Sequence, residues 1–182
     1  MPSPAPLVCI CIPAYNAETT IAETLASILN QTYQNLKVIV LDNASTDRTV
    51  SIANTFKDSR LVIHKNATNI GALENFNLTI ELAEGKYTAM FHADEVYENE
   101  MVEQQVAVLG RFPQVGAVFT EASLIDGYGK VFGETKVAQY VRRQKGETVA
   151  FNFKELFPVI LRSGNFLLCS GAMVRTEIYK TE

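Results

Sequence analysis

Acidic and aromatic side chains in this chain cluster at the ends of apolar runs, and that is where its chemistry is expected. Residues 87–91 read as a buried strand running straight into the polar tip His92-Ala93-Asp94-Glu95, with Gly85 as the break before it. In α/β folds the end of such a strand lies at the carboxyl edge of the sheet, where ligands bind. Asp94 and Glu95 there could hold a hard divalent cation through oxygen. Two more loops follow apolar runs: Pro13-Ala14-Tyr15-Asn16, and the stretch from Asp42-Asn43 to Asp47. If the strands are parallel, all three loops share one edge, and Asp42 and Asp94 approach each other from distant sequence. Burying an unpaired carboxylate is costly, so each needs a partner. A nucleobase could donate to Asp42, and a metal bridging to phosphates could satisfy Asp94. Tyr15 offers a ring on which a base could stack. Ordinary readings stand beside these: Asp42 as a turn former, Tyr15 as a half-buried packing residue, Asp94 as a helix-start acid.

The elements that would position these residues alternate. Residues 7–12 are a near-continuous apolar run, as in a central parallel strand, ended by Pro13. A helix follows with Ile21, Leu25, Ile28 and Leu29 at helical spacing, capped by Thr19 or Thr20, with Glu23 completing a capping box. Residues 36–41 are a second strand, Asp47 caps a helix to about Phe56, and 61–64 are a third strand. A polar loop, 65–69, leads through Gly71 to a helix over 72–83 and then to the strand at 87. This order predicts right-handed crossovers and a mostly parallel sheet with helices on both faces. Further on, a helix is expected over 100–111, a strand over 115–120, and a hairpin or bent edge strand over 124–132 around Asp126-Gly127-Tyr128-Gly129. Residues 140–147 are charged and read as a surface loop. Residues 153–162 have helical spacing that Pro158 should break or kink. A last strand is expected over 166–174, interrupted by Gly171.

Bulk composition narrows the function classes. The 182 residues suit one domain, 1–182, and 47% hydrophobic against 20% charged residues makes the chain globular. A net charge of −4 argues against nonspecific nucleic-acid binding. Three cysteines, Cys9, Cys11 and Cys169, lack the count of a disulfide framework and the spacing of a zinc site. They read as buried free thiols of a reducing compartment, with Cys9 and Cys11 on one face of a strand. No stretch resembles a signal peptide or is long and apolar enough to span a bilayer, so a cytoplasmic location is expected. No GxGxxG follows the first strand, and no GxxxxGK[ST] occurs.

Several ordered motifs together resemble family 2 glycosyltransferases of the GT-A fold. They are Ile12-Pro13-Ala14-Tyr15-Asn16, Gln31-Thr32-Tyr33 with Asn35-Leu36, and Val40-Leu41-Asp42-Asn43-Ala44-Ser45-Thr46-Asp47. The series continues with Asn69-Ile70-Gly71, Asn75-Phe76-Asn77, Ala83-Glu84-Gly85-Lys86-Tyr87 and Ala93-Asp94-Glu95, and more weakly with Gly116-Ala117-Val118 and Ser170-Gly171-Ala172-Met173-Val174-Arg175. The resemblance implies a nucleotide-diphospho-sugar donor, UDP-sugar favoured, and a divalent metal, Mn²⁺ or Mg²⁺. It implies a carbohydrate or lipid-linked acceptor, transfer with inversion, and assembly of cell-surface polysaccharide, peripherally at the inner face of a membrane. By position, Pro13, Ala14 and Tyr15 would line the base pocket and Asp42 would meet the base edge. Asp94 matches the last acid of the family's DxD motif and would bind metal. Asn16, Asn43, Gly71, His92 and Ala93 complete the implied nucleotide-binding set.

The chain departs from the family pattern in three places. The first DxD acid is His92, the frequent arginine before Asn77 is Phe76, and no later acidic motif is evident. The catalytic base is therefore expected beyond residue 182, in a chain truncated at its C-terminus, with Glu121 the nearest positional candidate within it. Two rivals follow: a non-catalytic sugar-nucleotide-binding module, and a nucleotidyltransferase. The second needs a Gly-rich, basic loop that residues 13–16 lack.

Overall fold

The computed structural model describes residues 4–135, 147–165 and 167–181. Its core is a six-stranded sheet in the order β3-β2-β1-β4-β8-β5. β1 (Val8–Ala14), β2 (Leu36–Asp42), β3 (Leu61–Lys65) and β4 (Tyr87–Met90) run parallel. β8 (Ala172–Arg175) lies antiparallel between β4 and β5 (Ala117–Phe119). The chain winds outward from β1 to β3 and then returns to place β4 on the other side of β1. The carboxyl ends of β1 and β4 therefore flank a topological switch point, where α/β sheets form a crevice.

β1, β2 and β4 are buried on both faces, which is why they read as near-unbroken apolar runs; the edge strand β3 is only partly buried and ends in exposed His64 and Lys65. Val8, Ile10 and Ile12 of β1 face a cluster with Ile21, Leu25 and Ile28 of α1 (Ile21–Leu29) and Val102 and Leu109 of α4 (Met101–Arg111). Cys9 and Cys11 face the opposite way, against Phe76 and Ile80 of α3 (Ala72–Glu81). Both thiols are buried on the shared face, whereas Cys169 is exposed, contrary to its reading as a buried thiol.

Other expectations are corrected. Pro13 does not end β1: it pairs with Leu41, and Ala14 with Asp42. Cys11 O accepts from Phe91 N, so the Pro13 nitrogen, two residues on, points to the β4 side, beyond the last β1–β4 pair at Met90. The missing N–H removes no ladder bond there. The capping box at Thr20 does not form, because no side-chain cap bond is made and the Thr20 hydroxyl donates to Ala93 O at 2.9 Å instead. α2 is short (Thr49–Ala53), with Asp47 accepting from Thr49 N at 2.9 Å one residue ahead of the cap position. Pro158 sits inside α5 (Phe153–Ser163) without ending it; a capping box between Asn152 and Glu155 secures the first turn. The last strand starts only at Ala172, after a 3₁₀ turn over Cys169–Gly171, and α6 (Thr176–Tyr179) follows it. The hairpin forms as expected, from β6 (Ser123–Ile125) and β7 (Val131–Glu134). Of the loop expected over 140–147, all but Glu147 lies outside the described residues. Among the described residues no helix is long and apolar enough to cross a membrane.

Candidate functional site

The three loops do meet. At the switch point a cleft of about 460 Å³ opens between the β1 loop and the β4 tip, with Pro13, Tyr15, Asn16, His92, Ala93 and Asp94 on its walls. A second cavity of about 140 Å³ adjoins it on the β2 side and takes in Ala14 and Asn43. Pro13, Tyr15 and Phe76 line both spaces. Tyr15 is half exposed. Of the ten candidate nucleotide-binding residues, only Asp42 and Gly71 touch neither cavity.

Each rim of the site is held differently. On the β2 side, Asn43 is buried and its amide is fully used. Its Nδ2 donates to Asn69 Oδ1 at 3.0 Å and to Gly71 O at 3.2 Å, and its Oδ1 accepts from Asn66 Nδ2 at 3.1 Å and Ile70 N at 2.9 Å. Asn75 completes the clamp, donating to Leu41 O at 3.1 Å and accepting from Asn66 at 2.8 Å. Gly71, at φ +88°, allows the turn into α3, a conformation that a side chain would strain. Gly71 thus shapes the loop and offers its carbonyl to Asn43. Asn16, at φ +50°, takes Thr46 N on its Oδ1 at 2.9 Å and so ties the β1 loop to the β2 loop. Asp42 is wholly buried; Oδ2 accepts from Ser45 N at 3.0 Å, while Oδ1 has no hydrogen-bond partner among the described residues.

The β4 tip leaves its side chains more open. Asp94 is exposed on the cleft wall. His92 meets Phe76 edge-on, ring centres 5.9 Å apart, so the two departures from the family pattern touch each other. His92 Nδ1 stands 3.6 Å from Glu95 Oε1, and its buried Nε2 has no hydrogen-bond partner among the described residues. Behind the tip, the Tyr97 ring stacks on Phe91 at 3.8 Å and its hydroxyl accepts from His92 N at 2.8 Å. Burial pushes the Tyr97 phenol well above its usual range, so it stays neutral.

The donor set bears on the implied metal. Among the described residues no three His, Cys, Asp or Glu side chains gather around one point. An all-protein cage is therefore not built here. One exposed carboxylate on an open cleft does fit a cation whose remaining ligands are phosphate and water oxygens, the usual manner of Mg²⁺. Glu121, the positional candidate for a base, follows β5 and is exposed, and it is not on the cleft wall.

Phe76 was read from the sequence only as a missing arginine, and its place between the two cavities needed the fold. Also unread as a group was the polar series Thr20, Thr24, Ser27 and Gln31, which runs from the N-cap of α1 along one face of the helix to just past its end.

Comparison with known proteins follows the same lines. The sequence profile of glycosyl transferase family 2 matches residues 9–181. A UDP-Glc:alpha-D-GlcNAc-diphosphoundecaprenol beta-1,3-glucosyltransferase of Escherichia coli, WfaP, is 39% identical over 100 residues, covering 55% of this chain and 40% of the relative. The mannosyltransferase PcManGT from Pyrobaculum calidifontis, solved in complex with GDP-Man and Mn²⁺, is 30% identical with a TM-score of 0.58, over 69% of this chain and 37% of that one. S. aureus TarS in complex with UDP-GlcNAc, at 20% identity, covers 96% of this chain and 46% of its own, with a TM-score of 0.71, and shows the shared GT-A fold. The chain thus spans about 40% of the length of the curated relative WfaP.

Proposed function

We propose, for a chain that belongs to glycosyl transferase family 2, that it binds the donor of a glycosyltransferase: a nucleotide-diphospho-sugar whose sugar passes to an acceptor hydroxyl with inversion. One observation carries the reading. Tyr15, Phe76, His92 and Asp94, from three separate loops and helices, converge on a single cleft at the switch point of the sheet. A base stacks on Tyr15, the diphosphate lies toward Asp94, and Asp94 would hold the divalent cation, Mn²⁺ or Mg²⁺. When bound, such a cation stabilises the negative charge that builds on the departing diphosphate. His92, whose buried Nε2 has no hydrogen-bond partner among the described residues, would hydrogen-bond the same phosphates once the tip adjusts around them. In the transfer, the acceptor oxygen bonds to the anomeric carbon as the bond from that carbon to the phosphate oxygen breaks. The electron pair leaves with the nucleoside diphosphate, and the acceptor proton goes to a base.

UDP is the favoured nucleotide, supported by the donor in the name of the WfaP relative; GDP is the alternative supported by the PcManGT complex. A lipid-linked acceptor, and with it a peripheral membrane location, rests on the diphosphoundecaprenol in the WfaP name. The test is calorimetric titration of UDP, then GDP, into the chain with Mn²⁺ and with chelator, repeated on Asp94→Ala. The expected result is metal-dependent binding that disappears in the variant. Binding that Asp94→Ala leaves unchanged sinks the assignment of the metal to this tip.

A further inference from the structure

Helix α1 touches the β4 tip through side chains alone, and it does so in register. The Thr20 hydroxyl donates to Ala93 O at 2.9 Å, and one turn on the Thr24 hydroxyl donates to Glu95 O at 2.8 Å. One turn further, Ser27 Oγ accepts from Tyr97 N at 3.1 Å; just past the helix end, Gln31 Nε2 donates to Glu98 O at 2.7 Å. Gln31 Oε1 also accepts from Val102 N at 3.0 Å, which ties the same residue to the start of α4. Thr24 and Gln31 are each only 1% exposed, so these bonds form away from competing water. The chain from 93 to 98 makes no sheet ladder, so its carbonyls depend on such partners. Asp94 lies between the two carbonyls that Thr20 and Thr24 hold.

From this register we infer that Thr20, Thr24, Ser27 and Gln31 are positioning residues: α1 acts as a ruler that fixes where Asp94 meets the diphosphate end of the donor. The inference rests on the donor-site reading above and extends it to residues that touch no ligand. Ser27 reaches the site by a second route. It fixes Tyr97, and Tyr97 in turn fixes the His92 amide through its hydroxyl. Stabilisation alone would also call for these bonds, since the loop's backbone lacks ladder partners; what the positioning role adds is their register on either side of Asp94. Here the apolar residues Ile21, Leu25 and Ile28 pack into the core, and the adjacent stripe is given over to hydrogen bonds with one loop.

The decisive variant is Thr24→Val, which keeps the shape and removes the hydroxyl, with Thr24→Ser as the rescue. Ser27→Ala is the second variant should Thr24→Val fold poorly. Two readouts are taken on the 182-residue chain. In amide hydrogen exchange, Thr24→Val should lower protection of residues 93–98 by about tenfold, the size of one net hydrogen bond. Residues 66–71 on the opposite rim should not change. In titration, UDP with Mn²⁺ should bind about tenfold more weakly, metal-free UDP should bind as in the unaltered chain, and Thr24→Ser should restore both readouts. Unchanged exchange at 93–98 overturns the ruler. So does a loosened loop with unaltered Mn²⁺-dependent binding. If the unaltered chain binds neither UDP nor GDP with Mn²⁺, the donor reading fails instead, and the exchange result alone decides whether α1 sets the tip.

Discussion

The two rims of the cleft reach rigidity by opposite means. On the β2 rim the side chains facing the site are themselves the clamp: Asn43 after β2, Asn66 and Asn69 after β3, and Asn75 of α3 spend their amides on one another and on nearby backbone. On the β4 rim the loop is held from outside by α1, and its own Asp94 is left exposed on the cleft wall. A rim whose own side chains form the clamp has few of them left for a ligand. A loop clamped by a neighbour keeps them. The contrast explains why the polar residues of the first rim are mostly architecture, and why reactive character concentrates on the second.

Substitution should separate the two rims, and the largest effect belongs to Asn43. Asn43→Ala removes four side-chain hydrogen bonds from a buried site. The expected loss is about 3 kcal/mol, because several partners are left unsatisfied. In a domain of this length that is a fall in Tm of roughly 6–12 °C, measured by thermal melt. Asp94→Ala should give the opposite signature. Its exposed side chain makes stability change by less than about 0.5 kcal/mol, while UDP binding with Mn²⁺ drops by about a hundredfold, or roughly 2.7 kcal/mol. If Asn43→Ala melts like the unaltered chain, the self-clamped rim is not what holds the loop. If Asp94→Ala lowers the Tm as far as Asn43→Ala does, the β4 tip is architecture too.

Much of this division was legible in the sequence, and the part that was not has a common cause. The inner parallel strands declare themselves as near-continuous apolar runs, because burial on both faces allows no alternation, and the edge strand β3 as a shorter one. Their order, with a helix between each pair, was enough to bring residues 13–16, 42–47 and 92–95 to one edge. Thr20 shows where the reading ran out. With Glu23 three residues on, it has the pattern of a capping box, yet its hydroxyl goes to Ala93, 73 residues away. A local rule sees only the first turn's N–H groups, whereas the hydroxyl is here turned to the Ala93 carbonyl and accepts from none of them. Pro13 failed for a similar reason, since whether a proline ends a strand depends on which neighbour its nitrogen faces. Asn43, a member of the nucleotide set, lines the smaller cavity with a side chain wholly engaged in holding the loop, which only the fold could show.

Asp42 is the exception on the self-clamped rim, and a sharper test of the comparison. It is buried with one oxygen lacking a hydrogen-bond partner among the described residues, whereas the asparagines around it are satisfied. An underbonded buried carboxylate costs stability. Asp42→Asn should therefore hold or raise stability, by up to about 1 kcal/mol in chemical denaturation. The variant also tests the base contact that the family resemblance implies: a fall in nucleotide affinity would require the cleft to open toward Asp42, which is wholly buried and touches neither cavity. A clear loss of stability would mean that the carboxylate belongs to the clamp, and that the β2 rim holds no residue reserved for ligand.

The smallest expected effect lies where the β2 loop runs into α2. Asp47 accepts from Thr49 N and Oγ1 at 2.9 and 2.6 Å and from Glu18 N at 3.0 Å, so it ties the β1 and β2 loops together. Desolvation opposes its ionised form, but the bonds from Thr49 and Glu18 outweigh it and hold its pKa below the usual carboxylate value. The sign follows from linkage. A carboxyl whose pKa is lower in the folded state adds stability above its unfolded value, about 3.9, and loses it as the pH falls through the folded one. Asp47→Asn should therefore melt slightly below the unaltered chain at neutral pH, and the gap should close as the pH falls from the unfolded carboxylate value through the lower folded one. Melts taken across that range decide it. A gap that persists in acid would assign the effect to lost geometry rather than charge, and would place Asp47 with the neutral asparagine clamp instead of apart from it.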